Sequence, residues 1–323
     1  MANTIRSFSE SFPLANAFTI SRGTKTHAHV VRVEISDGTH TGQGECVPYA
    51  RYGESIESVQ AQIAGLPADV TRQSLQETMP AGAARNAVDC AFWDLEAKQT
   101  GQSVWQLAGL TEPKELTTAY TLSLEEPDEM RENARANAHR PLLKLKLGTP
   151  NDIPRLEAVR EGAPDSQIIV DANEGWEVPT LLELQPALEK IGVALIEQPL
   201  PEADDTALAD CGIALPLCAD ESCHTSEGLA ELKGKYDVIN IKLDKTGGLT
   251  EALKMKKMAE GMGFTVFVGC MVGTSLGMAP ATLVAQGASF VDLDGPLLLA
   301  QDRANGLRYE GSTVFPPVSD LWG

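Results

Sequence analysis

The sequence predicts an α/β protein: a modified TIM barrel of (β/α)7β-like form, carrying an α+β capping domain. Three observations predict it. From about residue 117, strand-like runs recur roughly every 25 residues, eight times, with helical segments between most of them. Five successive runs close on a charged residue. The first hundred residues lack this rhythm and read as a separate strand-rich unit with one long helix. Repeated strand-and-helix units close into a parallel barrel whose C-terminal strand ends form the active face. A doubly wound sheet is disfavoured, because no glycine-rich phosphate fingerprint follows an early strand.

In the early unit, Phe18–Ser21 and Val30–Ile35 carry the β-branched residues of strands. Ser36-Asp37-Gly38-Thr39 supplies turn chemistry before a third strand, Thr41–Glu45. Residues 80–98 predict a helix, with Ala84, Val88, Ala91, Phe92 and Leu95 on one apolar stripe, Pro80 at its start and Gly101 after its end. The capping domain is expected over 1–115, completed by C-terminal residues 300–323. The barrel is expected over 116–299 and carries the chemistry. Its strands are read near 117–122, 142–147, 168–171, 194–198, 215–219, 238–242, 265–269 and 289–293. Ala230–Lys235 and Thr250–Met262 are among its helices.

Composition narrows the function classes. The chain has 323 residues, 43% hydrophobic, with a net charge of −19. That acidity argues against nucleic acid or anionic membrane as partner. No apolar run is long enough to span a bilayer. The N-terminal residues lack the pattern of a secretory signal, so a cytoplasmic location is expected. The six cysteines are scattered without a Cys-x-x-Cys pair, which predicts reduced thiols rather than a disulfide framework or structural zinc.

The charged strand ends carry the chemistry. Asp171, Glu197 and Asp220 close three consecutive units. Three oxygen ligands at neighbouring strand ends suit one Mg²⁺ per chain. A hard cation on a substrate carboxylate acidifies the α-carbon by stabilising the enediolate left on proton loss. Lys146 and Lys242 close runs on either side of the three acids, so they predict two bases on opposite faces of one carbon. Strand alternation puts Lys144 on the face of Lys146, Asn240 on that of Lys242, and Asp292 with Asp294. The residues between, Leu145, Ile241 and Leu293, are apolar and face the other way. Lys144 is expected to lower the pKa of Lys146 as a cationic neighbour and to help hold the substrate carboxylate. Lys245 reads as a surface lysine. His27 and His29 read as domain-surface residues. His224, just past Asp220, is a candidate to support that ligand.

Lys144-Leu-Lys146, Asp171-Ala-Asn173, Glu197-Gln-Pro199, Ala219-Asp220-Glu221-Ser222 and Asn240-Ile-Lys242 together resemble the enolase superfamily in its muconate lactonising branch. The ordered set is specific, although each short motif alone is weak. The resemblance implies a two-lysine, Mg²⁺-dependent enzyme, with Asn173 and Asn240 behind the metal ligands. Asp292-Leu-Asp294-Gly-Pro296 resembles the dipeptide epimerases of that branch and implies a seat for an N-terminal ammonium. Gly269–Ser275, containing Met271, is similar to their seventh-strand segment. Arg22 matches a capping-loop arginine that pairs with a glutamate side chain, and Arg51 is the alternative. Pro48–Glu54 and Pro80–Asn86 resemble the proteobacterial L-Ala-D/L-Glu epimerases. The resemblance therefore implies epimerisation of Ala-Glu dipeptides in murein-peptide recycling, by an enzyme open to homo-oligomerisation. Other dipeptides, an o-succinylbenzoate synthase or muconate cycloisomerase chemistry, and an inactive peptide-binding barrel are the rival readings. Gly273 stands where some relatives carry an acid.

Overall fold

A computed structural model describes residues 3–149 and 152–323. Strands β1 (Thr4–Ile20), β2 (Gly23–Ser36) and β3 (Thr41–Cys46) form an antiparallel sheet in that order. Alternation along β2 turns Val31, Val33 and Ile35 to one side, where they are fully buried. The strand read at Phe18–Ser21 is the end of a much longer β1, which pairs with β2 from Thr4↔Ser36 to Ile20↔Gly23.

Helices α1 (Ile56–Ala64) and α3 (Ala83–Thr100) cover that sheet, and α2 (Arg72–Thr78) packs on α3. The predicted stripe of α3 joins the core of this unit. The opposite side of α3 is buried too: Cys90, Trp93 and Ala97 join the barrel core. The helix is a wall shared by two cores, and Gly101 ends it in the left-handed conformation at φ +68°.

The run read at 117–122 divides. β4 (Leu116–Thr117) leaves for a small antiparallel sheet, and β5 (Tyr120–Leu122) opens the barrel. β6 (Leu142–Lys146), β7 (Gln167–Asp171), β8 (Val193–Glu197) and β9 (Leu217–Ala219) follow. β10 (Val238–Ile241), β11 (Thr265–Val268) and β12 (Phe290–Val291) complete eight strands, each parallel to its neighbour in chain order. The sheet curls until its edges meet, where Ala119 N–H donates to the Val291 carbonyl at 2.8 Å. β13 (Tyr309–Glu310) and β14 (Thr313–Val314) pair with each other, and β14 pairs with β4. Beyond them the Trp322 indole donates to the Cys90 carbonyl, so the C-terminal residues pack on α3.

Two layers fix which side chains face the bore. Leu142, Ile169, Leu195, Cys218, Val238 and Phe267 form an interior cluster. Their chain neighbours Leu143, Val170, Ile196, Ala219, Ile239 and Val268 belong to the outer core under the helices. Two residues beyond each interior residue, the period of two brings the next inward side chain. Those positions hold Lys144, Asp171, Glu197, Asp220, Asn240 and Gly269, and two beyond Lys144 and Asn240 lie Lys146 and Lys242. The charged set therefore sits directly above the apolar plug.

Candidate active site

A cavity of about 780 Å³ lies between the antiparallel unit and the barrel's C-terminal strand ends. Its floor includes Lys144, Lys146, Asp220, Lys242, Asp292 and Asp294, and its roof includes Arg22, Tyr49, Arg51 and Tyr52. Asp171, Glu197 and Asp220 are all buried and each offers an oxygen within 4.8 Å of the others. Asn240 Nδ2 donates to Glu197 Oε1 at 2.8 Å, and Asn173 N–H donates to Asp171 Oδ1 at 2.9 Å. The Asn240 side chain and the Asn173 backbone thus each reach one member of the triad.

The site has a surplus of oxygen. Glu197 Oε2, Glu221 Oε2, Asn173 Oδ1, Asn240 Oδ1 and Asp292 Oδ1 are buried without a hydrogen bond. Lys144 Nζ lies 2.7 Å from Glu197 Oε2, but outside hydrogen-bond geometry. Buried acceptors left unpaired are costly. Three hard carboxylates within reach of one another, backed by further unpaired oxygens and joined by no thiol or imidazole among the described residues, fit Mg²⁺.

The lysines sit among these acids. Lys146 Nζ donates to Asp171 Oδ2 at 2.6 Å, and Lys242 Nζ to Asp220 Oδ2 at 2.6 Å. Since β7, β8 and β9 run between their strands, the two amines reach the acids from opposite flanks. Lys144 Nζ lies 3.2 Å from Asp171, 2.7 Å from Glu197 and 3.0 Å from Asp292. Burial works against its charge, but Glu197, Asp292 and Asp171 outweigh burial and hold it well above the usual lysine range. Lys242 is likewise raised against burial, by Asp220 and Glu197. At both amines the surrounding carboxylates outweigh burial. Among the acids, burial and then the charge of Asp171 push Glu197 up to about 7. At Asp220, burial is overcome by Lys242 and Lys245, and the carboxyl falls well below its ordinary value.

Lys245 is not a surface lysine. It is buried, and its Nζ donates to Asp220 Oδ1 and the Asp220 carbonyl, each at 2.5 Å, and to the Asn240 carbonyl at 3.0 Å. His224 does not support Asp220 either; it stands 3.9 Å from Glu202 and edge-on to the Tyr52 ring. His27 and His29 are exposed, stack on each other and face the cavity. Sequence reasoning also missed Gln198, whose Oε1 accepts from the N–H groups of Asp220 and Ser222 and so holds the third ligand's loop.

At the end of the cavity that holds Asp292 and Asp294, Asp292 Oδ2 takes Lys144 at 3.0 Å while Oδ1 is unpaired. Asp294 Oδ2 accepts from the Thr121 N–H at 2.6 Å, and burial, then Asp292, push its carboxyl up to about 7. Met271 is buried and lines the cavity with Val47. At the other end Arg22 is already engaged. It donates to the Asn173 carbonyl at 2.7 Å, Glu221 at 2.7 Å, Tyr49 Oη at 3.1 Å and Glu174 at 3.3 Å. Arg51 grips both oxygens of Glu174 at 2.7 Å.

Residues 129–304 match the model described as enolase C-terminal domain-like, and residues 2–109 match the mandelate racemase / muconate lactonizing enzyme N-terminal domain. The chain belongs to the enolase superfamily. Within this superfamily the chain is 46% identical to the L-Ala-D/L-Glu epimerase of Escherichia coli, over 95% of this chain and 97% of that protein. It is 48% identical to the N-acetyl-D-glutamate racemase of a Pseudoalteromonas species, over 91% and 95%. Its fold matches a crystal structure of an enolase family member from Agrobacterium tumefaciens with homology to dipeptide epimerases, which holds sodium and L-Ala-L-Glu. The TM-score is 0.97 at 56% identity, covering 99% of this chain and all of that one.

Proposed function

We propose that this chain is a Mg²⁺-dependent epimerase that inverts the glutamyl α-carbon of L-Ala-D/L-Glu dipeptides. One observation carries the reading: Lys146 and Lys242 flank the carboxylate triad from opposite sides, each 2.6 Å from one of its members. Inversion needs one group to take a proton from one face of a carbon and another to return a proton to the other face. Lys146 is assigned the L-Glu face and Lys242 the D-Glu face. Asp171, Glu197 and Asp220 would hold the cation, which when bound supplies positive charge for the enediolate. Lys144, between the triad and Asp292, orients the substrate carboxylate. Asp292 and Asp294 draw in an ammonium and repel a second carboxylate. The arginine end of the cavity, with Arg22 and Arg51, is where the acidic side chain would lie.

This reading divides labour between the two parts of the chain. Residues 116–299 supply the metal ligands and bases, while 1–115 with 300–323 supply the roof that excludes water and reads the side chain. The recycling of murein peptides in the cytoplasm is the setting that suits such a substrate.

N-acetylglutamate is the second reading. The Pseudoalteromonas relative carries that name, and burial with the neighbouring Asp292 raises the Asp294 carboxyl, which favours its neutral form and eases an acyl group beside it. Deuterium uptake at the glutamyl α-carbon, with and without Mg²⁺, decides between them. L-Ala-L-Glu is expected to exchange much faster than N-acetyl-L-glutamate; the reverse order would make the chain an N-acylglutamate racemase. No exchange in either would overturn both.

A further inference from the structure

We propose that Arg303 and Glu45, which lie outside the cavity, are positioning residues for specificity, an inference that rests on the dipeptide reading above. Together they set the apolar wall that meets the side chain of the substrate's N-terminal residue. Glu45 is buried near the end of β3. Its Oε1 accepts from the Thr274 N–H at 2.8 Å, and its Oε2 accepts from the Thr274 hydroxyl and from Arg303 Nη2 at 2.6 Å. Arg303 Nε donates to Thr274 Oγ1 at 2.7 Å, and its Nη2 reaches Glu10 on β1. Glu10 in turn accepts from Arg32 on β2 at 2.9 Å. Burial pushes the Glu45 carboxyl up, and Arg303 is the strongest influence pulling it back. All three strands of the antiparallel unit, the barrel segment after β11 and the C-terminal residues thus meet in one charge cluster. A buried carboxylate is costly unless its partners stay in place, so the cluster fixes these pieces relative to one another.

The cluster backs directly onto the cavity. Two residues along from Glu10, Arg32 and Glu45, on the same side of the sheet, stand Phe12, Val30 and Val47. They pack with Met271 in an apolar cluster of their own, and Val47 and Met271 line the cavity. The Arg303 guanidinium lies 5.0 Å from the centre of the Phe12 ring. Thr274, three residues beyond Met271, caps the helix Ser275–Val284. A Cβ at Gly273 would stand 3.1 Å from Val47 and 3.2 Å from Glu45, so the missing side chain lets this segment seat on the carboxylate. The same segment adjoins the Asp292 and Asp294 end, since a Cβ at Gly295 would lie 3.1 Å from the Gly273 backbone. An ammonium drawn to those two acids brings the side chain on its own carbon to this wall. A wall fixed in place admits a methyl group and resists a larger one.

The test measures kcat and KM on L-Ala-L-Glu and L-Leu-L-Glu in the Mg²⁺-loaded wild type, Thr274→Val, and Arg303→Met combined with Glu45→Gln. The double variant removes both charges of the pair, so neither is stranded. Thr274→Val keeps the pair and loses only the hydroxyl between its members. The wild type is expected to prefer the alanyl substrate. Each variant should narrow that preference about fivefold or more through KM, with kcat on L-Ala-L-Glu held within about twofold. The rise in Tm on adding Mg²⁺ should match that of the wild type. An unchanged preference in either variant would overturn the assignment, as would equal losses on both dipeptides, the mark of a purely structural clamp. A wild type that turns over both dipeptides alike would overturn the wall, and Arg303 with it, while the dipeptide reading stands. A wild type that exchanges the α-hydrogen of neither would overturn the dipeptide reading itself.

Discussion

Asp220 carries a lysine on each oxygen, Lys245 on Oδ1 and Lys242 on Oδ2. The two have different work. Lys242 faces the cavity, whereas Lys245 is sealed behind the acid and also ties the Asp220 and Asn240 carbonyls. Removing one partner of a buried pair leaves an uncompensated charge and costs about 3–5 kcal/mol. Lys245→Met is therefore expected to lower Tm markedly without Mg²⁺, and to show a larger Mg²⁺-induced rise than the wild type, because the cation takes over the compensation. Melting curves with and without Mg²⁺ check this; a variant as stable as the wild type would contradict it. The period of two that made Lys144, Lys146 and Lys242 legible in the sequence ends with the strand. Lys242 caps a short helical turn, Leu243–Thr246, and the turn brings Lys245 back to the same side three residues later. Nothing in an alternation argument foresees that return. The engaged state of Arg22 was equally illegible, since Glu221 lies 199 residues away.

At the scale of elements, β3 and α3 touch closely because two glycines allow it. A Cβ at Gly44 would lie 2.1 Å from the Ala87 carbonyl oxygen, and one at Gly42 would lie 2.2 Å from that of Ala91. Neither atom can move without breaking a helix that two cores share. Gly44→Ala is expected to cost more than about 3 kcal/mol and to yield little soluble protein, whereas Gly261→Ala, facing open space without a left-handed backbone, should fold. Expression and Tm of the two variants check this. Asp244 gives a pH signature to the joint between the two parts. It accepts from Val47 N–H and Asn86 Nδ2, and burial pushes its carboxyl from an ordinary 3.8 up to about 7. An acid raised on folding binds more protons folded than unfolded, so its contribution to stability is present below about pH 4 and lost as pH rises through about 7. Asp244→Asn removes that loss. Its Tm advantage over wild type is expected to grow between pH 5 and pH 8; an advantage that stays flat would mean that Asp244 is ionised throughout. The α3 helix was legible from its stripe. Most of β1 was not, because Ser7, Ser9, Glu10, Ser11 and Pro13 carry little strand propensity and form a strand only by pairing with β2.

At the scale of the molecule, the barrel supplies a ring of charge and the antiparallel unit closes over it. The beat of strand ends made the barrel and its triad readable, because each charged residue follows an apolar run with fixed alternation. The roof was not readable in the same way, since Arg22 and Arg51 meet Glu174 across 152 and 123 residues. Ligand binding to the folded state adds stability that grows with the logarithm of free ligand over Kd, about 2.7 kcal/mol at a hundred times Kd. Mg²⁺ is expected to raise the Tm of the wild type, and Asp171→Asn, Glu197→Gln and Asp220→Asn should each weaken that rise and abolish turnover. A variant that kept both would not have lost a ligand.

The two-lysine transfer is the central claim, and single-lysine variants test it most directly. Lys146→Ala and Lys242→Ala are to be incubated with L-Ala-L-Glu and with L-Ala-D-Glu in deuterated buffer containing Mg²⁺, and followed by NMR. Both variants are expected to lose epimerisation. Lys242→Ala should still exchange the α-hydrogen of the L-Glu dipeptide alone, and Lys146→Ala that of the D-Glu dipeptide alone. Epimerisation by Lys242→Ala near the wild-type rate would contradict the account.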